Sequence, residues 1–342
     1  MSKHKLKNCY VSVFFIVAFG LVLIPSVRSQ SVHTAKLIEG AKKEKKLVWY
    51  TSTSVPDASA LLKAFNKKYP FVETNLFRAS NAKLSNRIMT ETRAGRWAYD
   101  IVSMSGGPLL RRMKLIKPYF SPESKAYIEA FKEPNGYWTA VYNSYYVIGY
   151  NTEMVAKKDA PKDWKDLLDP KWKGKIGMDR EEYRWFAAIT HKWGREKTQK
   201  FMKALAKQDL QWRRGHTLIA QLMISGEFPV SIVYAHRAEF MKNQGAPIEW
   251  VNTVKPVVIQ GNAISLGAKP EHPHTAKLFI DFVLSKEGQT LVRSFYRIPA
   301  RSDVKPFSPK MDPSKFEFAL LPEDLGTRYK EYVEDFRRIF GL

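Results

Sequence analysis

The side chains with chemical potential sit where strands hand over to helices. Thr51-Ser52-Thr53-Ser54 follows an apolar run at 47–50 and precedes a helical stripe of Ala58, Leu61, Leu62 and Phe65. Hydroxyls and free backbone N–H groups at such a helix start suit an anion. Equally, Ser54 and Asp57 fit a capping box, with Ser52 and Thr53 facing water. Ser105-Gly106-Gly107-Pro108 is a small-residue turn, and small residues let a ligand approach backbone N–H groups closely. Asp179 ends the strand pattern at 175–178 and begins the turn into a helix at 181–188. Open α/β sheets place ligands there, although a carboxylate at that point also serves as a helix cap. Arg214 stands before a further helix, where its guanidinium is free to fork onto a carboxylate or phosphate or to lie on the surface.

Catalytic signatures are missing from this inventory. No H-E-x-x-H or G-x-S-x-G occurs, and no Gly-Lys-Ser/Thr follows the small-residue turn. Adjacent Glu181 and Glu182 do not define an acid–base pair, because neighbours on a helix point apart.

Rigid elements must hold these loops. The run at 47–50 reads as a strand buried on both faces. A helix is expected over 31–46, a second strand over 71–77 after Pro70, a helix through Leu84, Ile88 and Met89, and a third strand over 99–104. Helix, strand, hydroxyl-rich loop, helix, strand is the opening of a parallel α/β unit. Residues 137–150 form an aromatic, β-rich segment. Trp164, Leu167 and Leu168 mark a short helix stopped by Asp169-Pro170. Beyond it come a basic amphipathic helix at 195–207, a helix through Leu218 and Met223, a strand at 228–234, a helix from Ala235, and strands at 248–251 and 257–263. Residues 274–289 read as one amphipathic helix with Ala276, Phe279, Ile280 and Val283 inward.

The first 29 residues have the layout of a secretory signal peptide: Lys3, Lys5 and Lys7, an apolar stretch from Val11 to Ile24, then Val27-Arg28-Ser29 before a cleavage point at Gln30. A retained anchor is the alternative. Cleavage removes Cys9, the single cysteine, so the mature chain relies on its core rather than on disulfides. The formal net charge of +23 becomes about +19 without that segment. Such a balance attracts anions and acidic surfaces. Export and the lack of any zinc-finger, RNP or basic-helix pattern argue against nucleic acid.

Asn151-Thr152, Pro161, Trp164, Asp166-Leu167-Leu168-Asp169-Pro170 and Lys171-Trp172-Lys173-Gly174-Lys175-Ile176 stand in an order similar to the second-lobe opening of periplasmic solute-binding proteins that serve ABC importers. Residues 274–289 resemble a helix found across the same proteins. Within them the chain looks most like the branch of ferric-ion, phosphonate and sugar-phosphate binders.

This resemblance implies a two-lobed α/β fold of the type II periplasmic-binding-protein kind. Each lobe would hold a mixed sheet flanked by helices, and hinge strands would join the lobes. Lobe one would take 31–148 and 258–300, lobe two 149–257, and a helical tail at 301–342 would pack on lobe two. The aromatic segment would cross between lobes, so that Tyr142 and Tyr145 either line the cleft or pack within their strand. The protein would be a periplasmic monomer that delivers a small molecule or ion to an inner-membrane ABC permease, with no resident cofactor.

Two ligands compete. Fe(III), as transported cargo, is a hard acid that favours phenolate and carboxylate oxygen. Ferric-binding relatives carry paired tyrosines where this chain reads Val233-Tyr234-Ala235-His236, so the set available here is Glu182, Tyr183, Tyr234 and His236. The favoured reading is an organic or phosphorylated anion, with Ser52, Thr53, Ser54, Ser105, Gly106 and Arg214 as donors and Trp185 and Tyr234 as walls. A secreted enzyme on the same fold is the reading of a different class.

Overall fold

A computed structural model describes residues 25–322 and 324–342, with side chains from residue 32 onward. Residues 1–24 of the expected signal segment lie outside the described residues. Among the described residues no helix is long and apolar enough to cross a membrane.

Twelve strands make one sheet: β1 (Lys46–Thr51), β2 (Glu73–Arg78), β3 (Ile101–Met104), β4 (Ile116–Lys117), β5 (Thr139–Asn151), β6 (Ile176–Asp179), β7 (Gln211–Arg213), β8 (Val230–Tyr234), β9 (Ile248–Trp250), β10 (Val257–Gly267), β11 (Ile298–Pro299) and β12 (Phe318–Leu320). The helices are α1 (Pro25–Glu44), α2 (Val55–Lys68), α3 (Asn81–Arg93), α4 (Gly107–Arg112), α5 (Tyr183–Trp193), α6 (Arg195–Ala206), α7 (His216–Ile224), α8 (Ala235–Asn243), α9 (Pro273–Leu284), α10 (Lys286–Ser294) and α11 (Leu325–Phe340).

Strand order along the sheet is β2-β1-β3-β10-β5-β8-β6-β7. The outer strands pair in parallel at both ends, β1 with β2 and β3, and β6 with β7 and β8. Between them run β5 and β10, antiparallel to each other and far longer than the rest. Every residue of β5 is buried, as its aromatic and β-branched composition requires of a central strand. A bulge opposite Asn262 and Ala263 lets both long strands bend as they cross from one half to the other.

Several sequence expectations shift here. The first helix ends at Glu44, because Lys45 takes a left-handed conformation (φ 56°) that turns the chain into β1. The expected single helix at 274–289 is two helices: Ser285 leaves the helical region and accepts from the Gly288 amide to cap α10. Residues 164–168 form a 3₁₀ turn with a capping box between Asp163 and Asp166. The capping box expected from Ser54 and Asp57 does not form. Ser54 makes no side-chain cap bond, and Asp57 turns instead to Arg297 at 2.9 Å, where an ion pair with little exposure is worth more than one cap.

The helix α11 lies along α5 and α6. Phe336 meets Tyr183, Phe186 and Trp212, and Arg195 pairs with Glu331 and Asp335 at 2.7 and 2.6 Å. Its first turn also reaches α4, where Gly326 abuts Leu109 and Arg112 donates to the Thr327 hydroxyl at 3.4 Å.

Candidate ligand-binding site

The two long strands bring the strand-to-helix loops of both halves together around Tyr142 and Tyr146 of β5. Side chains alternate along a strand, so residues four apart share a face. Tyr145 points the other way, fully buried against Phe316 and Phe318, and does not face these loops.

On the β1–β3 side, Ser52 accepts from Asn262 at 3.0 Å. The backbone N–H of Thr53 is held by the Thr51 hydroxyl, and its side chain bonds the Tyr142 phenol. Ser105 donates to the Gly261 carbonyl at 2.8 Å and accepts from Gln260 at 3.0 Å, while Gly106, just before α4, takes φ 137°, a conformation open to glycine.

Guanidinium groups crowd this side. Arg297 pairs with Asp57, lies 4.8 Å over the Tyr142 ring and sits 3.0 Å from His236 Nε2. Arg78 reaches the Thr53 carbonyl at 3.4 Å. Arg237 is half-buried and has no carboxylate within 4 Å among the described residues; burial, then Arg297, lowers its pKa against the pull of Asp57. His236 is buried, and desolvation together with Arg297, Arg237 and His216 holds it well below the ordinary imidazole range, so it is neutral.

On the β6–β8 side the groups are aromatic and acidic. Tyr234 and Tyr146 bring their hydroxyls to 3.3 Å, and Tyr146 donates to Gln260 at 2.9 Å. The His216 ring lies 3.9 Å from that of Tyr234, and His236 stacks on the same phenol at 5.6 Å. His216 Nε2 is 3.2 Å from Glu182 Oε1, at an angle that leaves this buried oxygen without a hydrogen bond among the described residues. Asp179 accepts from the Glu181 and Gly215 amides at 2.9 and 2.8 Å, so it ties the start of α7 to the end of β6 rather than capping α5. Burial, with the Asp179 charge added, pushes the Glu182 carboxyl well above the carboxylate range. Burial also lowers His216 to about 4, against the opposing pull of Asp179, and raises both phenols.

Three expected site residues stand elsewhere. Tyr183 turns toward α11, edge-on to Phe336 and Tyr329, with Arg337 at 3.3 Å from its hydroxyl. Trp185 is fully buried against Trp164 and Phe201. Arg214 is exposed and pairs with Glu181 at 3.1 Å. Glu182 precedes the first turn of α5 instead of lying on it, and the helix that follows carries Tyr183 against α11 and Trp185 into the core. The set Glu182, Tyr183, Tyr234 and His236 is therefore not assembled. Sequence reasoning missed Tyr146, His216, Asp57, Gln260 and the arginines 78, 237 and 297. Strand parity with Tyr142 is a signal that finds Tyr146; Arg297 comes from a distant segment and carries none.

Two halves joined by long crossing strands, with loops converging between them, define a two-lobed solute-binding protein. The profile of the family described as bacterial extracellular solute-binding protein matches residues 109–320, and the chain belongs to that family. Proteins of this kind deliver small ligands to ABC permeases, and this chain is a solute-binding component of that kind. An uncharacterized Haemophilus influenzae protein is 29% identical over 287 residues, covering 77% of this chain and 81% of its own length. Iron-bound HitA from Pseudomonas aeruginosa superimposes with a TM-score of 0.76 at 20% identity, over 87% of this chain and 99% of its own. AfuA from Actinobacillus pleuropneumoniae, with exogenous fructose-6-phosphate bound, gives 0.73 at 25% identity, again over 87% and 99%.

Proposed function

We propose that the protein captures an organic or phosphorylated anion between its lobes. The observation that carries this reading is the charge balance around Thr53 and Tyr142: Arg78, Arg237 and Arg297 face one carboxylate, Asp57, while His236 stays neutral. The hydroxyls of Ser52, Thr53 and Ser54 and the start of α2 complete a donor-rich wall. AfuA, which shares 25% of its sequence with this chain, held a phosphorylated sugar. Isothermal titration with inorganic phosphate and with fructose 6-phosphate tests the reading. Micromolar or tighter binding of either upholds it, and heat traces matching buffer for both remove it.

A ferric reading rests on a different observation, the two phenol oxygens 3.3 Å apart beside His216 and Glu182. Burial keeps those phenols protonated in the unloaded site, so Fe(III) would have to displace both protons. A tyrosinate-to-iron absorption band on adding ferric citrate would favour it.

The same proposal divides the chain at its long strands, with 31–148 and 258–300 in one lobe, 149–257 in the other and 301–342 as a tail. It takes the leader to be cleaved before Gln30 and the mature protein to work in the periplasm as a monomer, binding without catalysis. N-terminal sequencing of the exported protein checks the cleavage.

A further inference from the structure

Exposed lysines without a carboxylate partner precede the N-terminal end of β6, the end opposite Asp179. Residues 162–175 and the segment formed by α6 with the turn after it (195–208) lie side by side there, laced by a bond from the Gly174 amide to the Gln208 carbonyl and by Gln208 Nε2 to the Leu168 carbonyl, both 2.7 Å. Lys162, Lys165 and Lys173 from the first segment, with Lys200, Lys203 and Lys207 at helical spacing from the second, are all exposed. None has a carboxylate within 4 Å among the described residues.

The neighbouring carboxylates offset the lysines only in part: residues 162–175 and 196–209 carry nine lysines against five acidic side chains. Asp163 accepts from the amides of Trp164 and Lys255, Asp166 from those of Lys162 and Asp163, and Asp169 from that of Lys171. Asp159, Asp169, Glu196 and Asp209 are exposed, and the balance of the two segments stays positive.

The face also lacks an anchor. Of the large exposed apolar side chains, none falls in 160–175 or 195–207. Tight protein contacts centre on buried aromatic or arginine anchors. A diffuse layer of ammonium groups on flexible stems fits many mobile negative charges at a surface, as lipid headgroups present.

We propose that this lysine face docks on anionic phospholipid headgroups, holding the protein at a membrane with its cleft turned away. Asp179 and Glu182 stand at the C-terminal end of β6, whereas Lys173 precedes its N-terminal end, so docking leaves the ligand loops clear. The attraction is between exposed charges and fades as salt shortens its reach.

Sedimentation with vesicles tests the proposal. The protein should pellet with phosphatidylglycerol–phosphatidylcholine vesicles at low salt, stay in solution with pure phosphatidylcholine, and be released at about 0.5 M salt. The variant Lys165→Glu/Lys173→Glu/Lys203→Glu/Lys207→Glu should partition at least ~10-fold more weakly. A variant with the same change in charge on another face, Lys43→Glu/Lys46→Glu/Lys63→Glu/Lys67→Glu, should stay within about two-fold of the parent. Equal loss in both variants would reduce the effect to net charge and overturn the proposal, as would equal pelleting with neutral vesicles. Capture by polyglutamate beads without vesicle binding would make this a contact for an acidic protein and overturn the lipid assignment.

Discussion

Tyr234 and His216 pack ring on ring with centroids 3.9 Å apart, and this contact joins two segments that share no strand. Tyr234 ends β8 and His216 opens α7, yet together they close the floor on which Glu182 and Tyr146 meet. The arrangement places a neutral carboxyl, a neutral imidazole and two phenols on one side of the site, with the arginines opposite.

Glu182 should make the folded protein less stable as pH rises. Its folded pKa lies above the unfolded value near 4.5, so the folded state holds a proton that the unfolded state releases. Stability is full below pH 4.5 and declines as pH rises toward the folded value. Glu182→Gln should therefore raise Tm at pH 8 and change it little at pH 4, which thermal melts across pH will show.

His216 acts at the acid end with the opposite sign. Its pKa falls from 6.5 unfolded to about 4 folded, so stability is present above pH 6.5 and is lost on acidification toward pH 4. The full span corresponds to roughly 3 kcal/mol. His216→Asn should flatten the acid limb of a stability–pH curve measured by urea titration.

Arg297→Ala removes one guanidinium and strands Asp57 near the anion wall. Binding of the phosphate or sugar-phosphate probe should weaken about 100-fold, consistent with a charge-assisted pair worth roughly 2–3 kcal/mol. Arg297→Lys should recover only part of it, because the fork onto Asp57 and the stacking on Tyr142 need a planar group. Calorimetry with all three proteins decides this.

Tyr234→Phe separates the two cargo readings. Any ferric absorption band should vanish if Tyr234 supplies a phenolate, whereas anion binding at the arginine wall should change less than about five-fold, within the value of one neutral hydrogen bond. An unchanged ferric band would take Tyr234 out of the metal reading.

Trp185→Ala should cost about 3–5 kcal/mol in stability while leaving ligand affinity nearly unchanged, because the indole fills the core between Trp164 and Phe201. A large affinity loss without loss of stability would return Trp185 to the cleft.

The architecture was legible in the sequence to the extent that local patterns encode it. The opening α/β order, the short helix stopped by Asp169-Pro170 (found as a 3₁₀ turn) and the two family-like stretches all led to the fold observed. Ser52, Thr53, Ser105, Glu182, Tyr234 and His236 were reached from strand-to-helix junctions and Tyr142 from the aromatic crossing segment, and the structure brings them around one centre. What stayed hidden depends on long-range geometry. Tyr183 and Trp185 are sequence neighbours of Glu182, but the helix sends each to a different surface. Asp57 reads as a capping residue until Arg297, 240 positions later in the chain, claims it.

The C-terminal helix α11 is fastened unequally. Aromatic rings and the Arg195 pairs fix it to α5 and α6, whereas only Gly326, Thr327 and their neighbours touch α4 on the β1–β3 side. If the halves separate, the sparse contact gives way first and the helix travels with α5 and α6. Substitutions at Leu109, Arg112, Gly326 or Thr327 should therefore alter how readily the halves part without touching the groups around Tyr142 and Tyr234.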